Sequence, residues 1–259
     1  ETMLRWADVG VSPSFFLARR LTDRAVWTDN PHYTRRFFGP GLERAPWPFV
    51  LPQVETADVV RVVVLGESAA MGDPKPEFGL SRMLEVLLRE AYPDRPFEVL
   101  NAAVTAINSH AVRAIAIEAA RRRPDYVVIY MGNNEVIGPY GPGTIHQAFS
   151  GSLPYIRASL ALRGTRLGQH LLSAATHLAG RPKLEWRGME MFLDKKIAGD
   201  DPRMRDVYRH FERNLEDIVA AARAADAMPV LSTVAVNLRD CAPFASEHRP
   251  TFGATASNA

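Results

Sequence analysis

The plainest pattern in the chain is the apolar run Val59-Val60-Arg61-Val62-Val63-Val64-Leu65, closed by Gly66. A short, β-branched run of this kind predicts a strand buried on both faces, as in parallel sheets. From about Leu80 to Ala91 the period becomes helical, with Leu80, Leu84, Leu87 and Leu88 on one face. Phe97 to Asn101 predicts a second strand. Ser109 is a good N-cap for a helix running to Arg123, with Ile115, Ala119 and Arg122 at helical spacing. Pro124 stops that helix, and Asp125 to Met131 predicts a third buried strand. Helical material follows from Leu153 to about Ala179. A longer amphipathic helix spans about Arg203 to Ala225, striped by Val207, Phe211, Leu215, Ile218, Val219 and Ala222. Met228 to Val234 is the fourth strand. Strand alternating with helix means right-handed crossovers, so the predicted class is α/β: a three-layer α/β/α sandwich. Its parallel sheet should hold Val60–Leu65, Phe97–Asn101, Tyr126–Met131 and Pro229–Val234.

The first 57 residues differ. Phe15, Phe16, Trp27, Phe37, Phe38, Trp47 and Phe49 are scattered without period, and Pro40, Pro46, Pro48 and Pro52 rule out a long helix in the second half. Large aromatics in this number are not left in water, so residues 1–57 read as an arm packed on a main domain spanning 58–240. The arm is either packing alone or also a wall of a substrate or partner site. Residues 241–259 read as a frayed or cut tail. The chain opens at Glu1, which fits a processed or excised piece, and an anchor upstream of it would leave no trace here.

Composition narrows the function. With 31 basic and 29 acidic residues in 259 the formal charge is +2, which carries no nucleic-acid signature. Cys241 is the one cysteine, so neither an intrachain disulfide nor a cysteine-based zinc cluster can form. No apolar run is long enough to span a bilayer. The compartment stays open, periplasmic and membrane-anchored locations included. There is no Gly-x-Gly-x-x-Gly after a strand, no Walker loop and no clustered His/Cys set, so no metal or organic cofactor is implied.

Open parallel sheets bind ligands at the carboxyl ends of their strands. There the sequence places Gly66-Glu67-Ser68, then Asn101-Ala102-Ala103, then Gly132-Asn133-Asn134-Glu135, and finally Asn237. A serine supplies a nucleophile, while amide and backbone N–H groups can bind an oxyanion. A serine in this place also serves as an N-cap, and an asparagine as a turn former. Gly66-Glu67-Ser68-Ala69-Ala70-Met71-Gly72 is similar to the first block of the SGNH hydrolases (GDSL-type esterases and lipases), with Glu67 where Asp is usual. Gly132-Asn133-Asn134-Glu135 resembles that family's Gly-x-Asn-Asp block, and Asn101-Ala102-Ala103 falls where Asn-x-Gly is usual. Three blocks in register after successive strands favour the functional reading over any one tripeptide.

The resemblance implies a flavodoxin-like sheet and an ester hydrolase acting on acyl esters or carbohydrate O-acetyl esters. By position, Ser68 would be the nucleophile. Its own N–H, the N–H of Ala103 and the side-chain amide of Asn134 would form the oxyanion hole, while Asn133 and Glu135 read as loop-shaping. Alanine at 103 keeps the N–H but would be strained if the site needs a positive φ.

The family's Asp-x-x-His block is missing after the last strand. Asp29-Asn30-Pro31-His32 is the one Asp-x-x-His of the chain, and it lies in the arm; His248 has the right order but the wrong spacing. His110 reads as a capping or packing residue near the rim, and His146, His170, His177 and His210 as loop or helix surface. The resemblance to bacterial members with a helical repeat region before the final block implies that the histidine lies beyond residue 259. The alternative is a catalytically silent binding or scaffold module of the same fold.

Overall fold

The structure is a computed structural model and describes residues 2–3, 10–39, 41–54, 58–145, 149–178, 186–237 and 239. Cys241, His248 and the rest of the 241–259 tail lie outside the described residues, as does His146.

The chain begins with strands β1 (Phe16–Leu21) and β2 (Arg24–Asp29), a short helix α1 (Arg35–Phe38) and a strand β3 (Val50–Pro52). β1, β2 and β3 form an antiparallel sheet in that order. The sequence pattern does not predict these strands, and the reason is local. Leu21 pairs with Arg24, so the hairpin turns through Thr22-Asp23, with Thr22 at φ 54°. That dipeptide lacks the Asn-Gly or Asp-Gly signature of such turns. β1 is exposed from Ala18 onward, so no apolar alternation marks it. Aromatic packing anchors the segment: the Phe15 ring meets Phe16 and Tyr33 edge-on, each at 5.1 Å, and stacks on Phe49 at 5.9 Å. These rings share one core with Val63, Leu65 and Ile115.

The main sheet follows. In chain order come β4 (Val60–Gly66), α2 (Ser68–Met71), α3 (Leu80–Ala91), β5 (Phe97–Asn101), α4 (Ser109–Ala120), β6 (Tyr126–Tyr130), α5 (Leu153–Arg163), α6 (Arg166–Leu178), α7 (Met204–Ala224) and β7 (Met228–Leu231). The strand order is β5-β4-β6-β7 and every pair is parallel, which is the flavodoxin-like order. Alternate residues of the central strands serve opposite faces. Val63, Leu65, Leu100, Val127 and Ile129 enter the core that α4, α7 and the aromatic arm share. Val64, Val99, Val128 and Tyr130 pack against Ala70, Met71, Leu80 and Leu84 of α2 and α3. With helices on both faces, the predicted three-layer α/β/α class holds.

Several local expectations need correction. Leu87 does not join the buried face of α3; it is 66% exposed. Asn108, not Ser109, is the N-cap residue of α4, and the helix ends at Ala120 because Arg123 takes φ 49° just before Pro124. The helical stretch after Leu153 divides at Gly164 into α5 and α6. β7 stops at Leu231, short of Val234, although the Ser232 N–H still donates to the Ile129 carbonyl at 3.0 Å. Arg61, the one charge in the first apolar run, is buried at the end of the sheet away from the serine. Its Nε donates to Glu98 at 2.7 Å, and its backbone N–H donates to Asp125 Oδ2 at the same distance.

Gly66 joins the fold to the site. A Cβ there would run into the Tyr130 carbonyl oxygen and the Ala70 methyl, so α2 can turn back over β6 only on a glycine. Gly66→Ala is expected to lower stability by about 1–3 kcal/mol through overpacking, read as a downward shift of the urea midpoint with an unchanged slope.

Candidate active site

Three backbone segments leave adjacent strands at one rim. β4 hands on to Glu67, in extended conformation, and then to Ser68 as the first residue of α2. α2 is a single turn, closed by Gly72 at φ 88°, with the N–H groups of Gly72 and Asp73 both donating to the Ser68 carbonyl at 2.9 and 3.0 Å. The tight strand–turn–helix leaves the Ser68 side chain half-buried at the rim. On one side β5 ends in Asn101-Ala102-Ala103; on the other, β6 ends before Gly132-Asn133-Asn134. Ser68 and Asn134 therefore flank the β4/β6 boundary, where the strand order reverses and such sheets bind their ligands.

The two donors are held differently. Asn134 is buried, and one hydrogen of its side-chain amide goes to the Ile107 carbonyl at 3.0 Å, which leaves the second for a ligand. The Ala103 N–H already has an internal acceptor, Asn101 Oδ1, at 3.2 Å. Asn101 in turn donates through Nδ2 to the Met71 carbonyl at 3.0 Å, tying β5 to α2. Ala103 is not among the residues with positive φ, so alanine sits there without backbone strain.

The residue that sequence reasoning left without a role is Glu67. Its side chain is fully buried and accepts the Gly132 N–H at 3.2 Å and the Asn134 N–H at 3.0 Å. One carboxyl group thus clamps the loop carrying Asn134 to the β4–α2 turn that presents Ser68. The signal was visible, an acidic residue inside a buried strand end, but only the fold supplies the facing N–H groups. Glu135 does similar work one layer back, accepting the Ser109 N–H at 2.7 Å and the Ser109 hydroxyl at 2.8 Å. It thereby caps α4, which its own N-cap Asn108 does not do. Asn214 of α7 completes the buried network, donating to Ser109 Oγ and to His110 Nδ1, each at 3.0 Å.

Burial sets the protonation of this network. Desolvation pushes Glu67 up to about 8, and the nearby Glu135 adds to it, against the N–H bonds from Gly132, Asn133 and Asn134. Desolvation likewise lifts Glu135 to about 7. A carboxyl whose folded pKa is raised binds more protons folded than unfolded, so stability falls as pH rises from the ordinary 4.5 towards 8. Urea unfolding at pH 5 and pH 8 should show the wild type weaker at pH 8, and Glu67→Gln should remove much of that difference.

The histidines do not complete a triad among the described residues. His32 is exposed, with Nδ1 at 3.2 Å from Glu43 Oε1, and Asp29 instead accepts the Phe49 N–H at 3.2 Å. The Asp29–His32 pair that the spacing suggests is therefore not formed. His110 is buried, and desolvation, helped by the charges of His210, Arg157 and Arg113, lowers its pKa to about 3. His210, expected on a helix surface, is buried too, with its ring 5.6 Å from that of His110 and Nε2 3.2 Å from the Gly151 carbonyl. No described histidine hydrogen-bonds Ser68. Among the described residues there is no cluster of three or more His, Cys, Asp or Glu side chains able to hold a metal, and no helix long and apolar enough to cross a membrane.

No family model matches this chain, and no curated protein does either. Among solved structures it is similar to a lipase/acylhydrolase from Enterococcus faecalis, at 15% identity over 66% of this chain and 74% of that one, with a TM-score of 0.29. It is also similar to the acetyl xylan esterase AlAXEase, at 13% identity over 66% and 77% of the two chains, TM-score 0.33. A third likeness is to AlinE4, an SGNH-hydrolase family esterase, at 15% identity over 68% and 77%, TM-score 0.30.

Proposed function

We propose that this protein is a serine ester hydrolase in which Ser68 attacks the ester carbonyl, forms an acyl-enzyme and is released by water. The observation that carries this reading is the Glu67 clamp, which fixes the Asn134 segment beside the turn that presents Ser68. In the attack step the Ser68 hydroxyl loses its proton to a general base as its oxygen bonds to the carbonyl carbon. The carbonyl oxygen becomes an oxyanion, received by the free hydrogen of the Asn134 amide and by the Ser68 and Ala103 N–H groups. For Ala103 this requires sharing its hydrogen with, or turning it from, Asn101 Oδ1. The alcohol leaves with a proton from the base, and a water molecule repeats the sequence on the acyl-enzyme. Metal and cofactor have no part in this scheme.

The base is assigned to a histidine outside the described residues, for which His248 has the right chain order after the last strand. A second reading, a silent binding or scaffold module, is favoured by one observation: Ser68 has no histidine bonded to it among the described residues. p-Nitrophenyl acetate turnover separates the two, measured on this chain and on any longer natural form, each beside Ser68→Ala. Hydrolysis lost in Ser68→Ala supports the hydrolase; hydrolysis absent from both forms supports the silent module.

A further inference from the structure

The helical pair α5 and α6 carries a surface that the reaction scheme does not use. On α6, Leu167, Leu171, Ala174 and Leu178 follow one another at steps of four, three and four residues, so they form one row along the helix. The row faces water: its leucines are 49%, 57% and 87% exposed in that order, and Ala174 is exposed as well. Leu162, near the end of α5, is 50% exposed. A Cβ on Gly168 would run into the Leu162 carbonyl oxygen, so α6 starts tightly against the end of α5 and residue 162 stands at the head of the row.

The outward turn of this row is fixed from behind. Gln169 stands on the opposite side of α6, where its side-chain amide donates to the Val11 carbonyl and its side-chain oxygen accepts the Val11 N–H, each at 3.0 Å. The helix cannot roll its leucines inward without breaking both bonds. Exposed leucines scattered singly are ordinary, but a continuous apolar row marks a contact site. The charge around it names the partner. From Val136 to Leu184 the sequence holds four arginines and a lysine and no Asp or Glu, although the whole chain is nearly balanced at 31 basic to 29 acidic residues. Arg157 is held by Asp217 at 2.7 Å. Arg163, next to Leu162, has no ion pair among the described residues, and its Nε reaches only the Ser159 hydroxyl, at 3.4 Å.

We propose that the α5–α6 pair docks on the surface of an anionic lipid bilayer. The leucine row enters the boundary between headgroups and acyl chains, and the arginines beside it meet lipid phosphates. A helix with an apolar stripe, cations and no acidic residue lies in the plane of such a surface and needs no length to cross it. Charge complementarity selects this occupant over a second copy of the chain. A two-fold contact through the row would set two acid-free, cationic surfaces against each other, whereas an anionic bilayer answers the charge and the apolar row together. The docking surface is independent of the chemistry assigned to Ser68.

Co-sedimentation with phosphatidylcholine vesicles, with and without phosphatidylglycerol, tests the proposal. It is run on the wild type, the double variant Leu167→Gln/Leu171→Gln, Arg163→Gln, and Leu87→Gln as a control that alters an exposed leucine on α3. The wild type should partition onto the phosphatidylglycerol vesicles far more than onto phosphatidylcholine alone, and less as salt is raised. The double variant should lose about tenfold or more of that partition through its lost apolar burial. Arg163→Gln should lose about fivefold, the usual share of one cation near an anionic surface. Leu87→Gln should partition like the wild type, which separates a defined surface from general stickiness. All the leucines changed are exposed, so urea midpoints should match the wild type and exclude misfolding as the cause. Equal partition onto both vesicle types, partition untouched by the double variant, or partition lost equally in Leu87→Gln overturns the proposal. So does an absence of vesicle binding; if sedimentation then shows self-association that the double variant abolishes, the row is a contact between copies instead.

Discussion

Glu67→Ala is expected to lower stability by about 3–5 kcal/mol and to abolish Ser68-dependent hydrolysis. The substitution strips the Gly132 and Asn134 N–H groups of their acceptor inside the protein. Each such loss typically costs about 1–3 kcal/mol, and the vacated volume adds a cavity cost. Hydrolysis should fail for a separate reason, because the loop carrying the Asn134 amide is no longer fixed to the turn that presents Ser68. Glu67→Gln separates the two effects. A glutamine keeps the shape and one acceptor oxygen but turns an amide NH2 towards the other N–H donor, so it should fold with an intermediate loss. Urea unfolding reads the stability, and kcat/KM on p-nitrophenyl acetate reads the positioning. A Glu67→Ala protein with wild-type kcat/KM would show that the clamp has no bearing on the reaction.

The second large effect is at the oxyanion. Asn134→Ala is expected to reduce kcat by about 10²–10³, the usual consequence of removing one oxyanion donor, with little change in KM. It also deletes the bond to the Ile107 carbonyl, so some stability is lost as well. The kcat-against-KM pattern identifies the catalytic part, since a purely structural loss would lower the amount of active protein without selecting the transition state. By contrast, Ala103→Gly keeps the N–H and should leave kcat within a few-fold of the wild type.

How far these assignments were legible in the sequence follows from the kind of signal each residue left. The central strands announced themselves, because a strand buried on both faces shows a continuous apolar run, and the short length, β-branched residues and closing Gly66 of Val62 to Leu65 favour strand over helix. The strand ends then marked three polar segments, and within them only the resemblance to the SGNH hydrolases singled out Ser68, Ala103 and Asn134. The antiparallel sheet of the arm was hidden, since its hairpin turns through Thr22-Asp23 and its first strand lies mostly in water. The Glu67 clamp was hidden for a different reason: a side chain's acceptors are fixed by residues 65 positions away or more, and no local pattern encodes that pairing. The failure of Asp29–His32 is the converse case. A four-residue spacing looked like a catalytic dyad, but the chain turns at that point so that Glu43 meets His32 and Asp29 serves the backbone of Phe49. The same limit applies to His210, whose polar helix neighbours gave no sign that Gly151 and His110 would cover it.

The central claim is that Ser68 is a nucleophile set beside a prepared oxyanion site, and covalent trapping tests it most directly. The protein is treated with a fluorophosphonate, digested, and the modified peptide located by mass spectrometry. One adduct is predicted, on Ser68, absent in Ser68→Ala and formed much more slowly in Asn134→Ala. No adduct on Ser68, or an adduct on another serine at the wild-type rate, would contradict it.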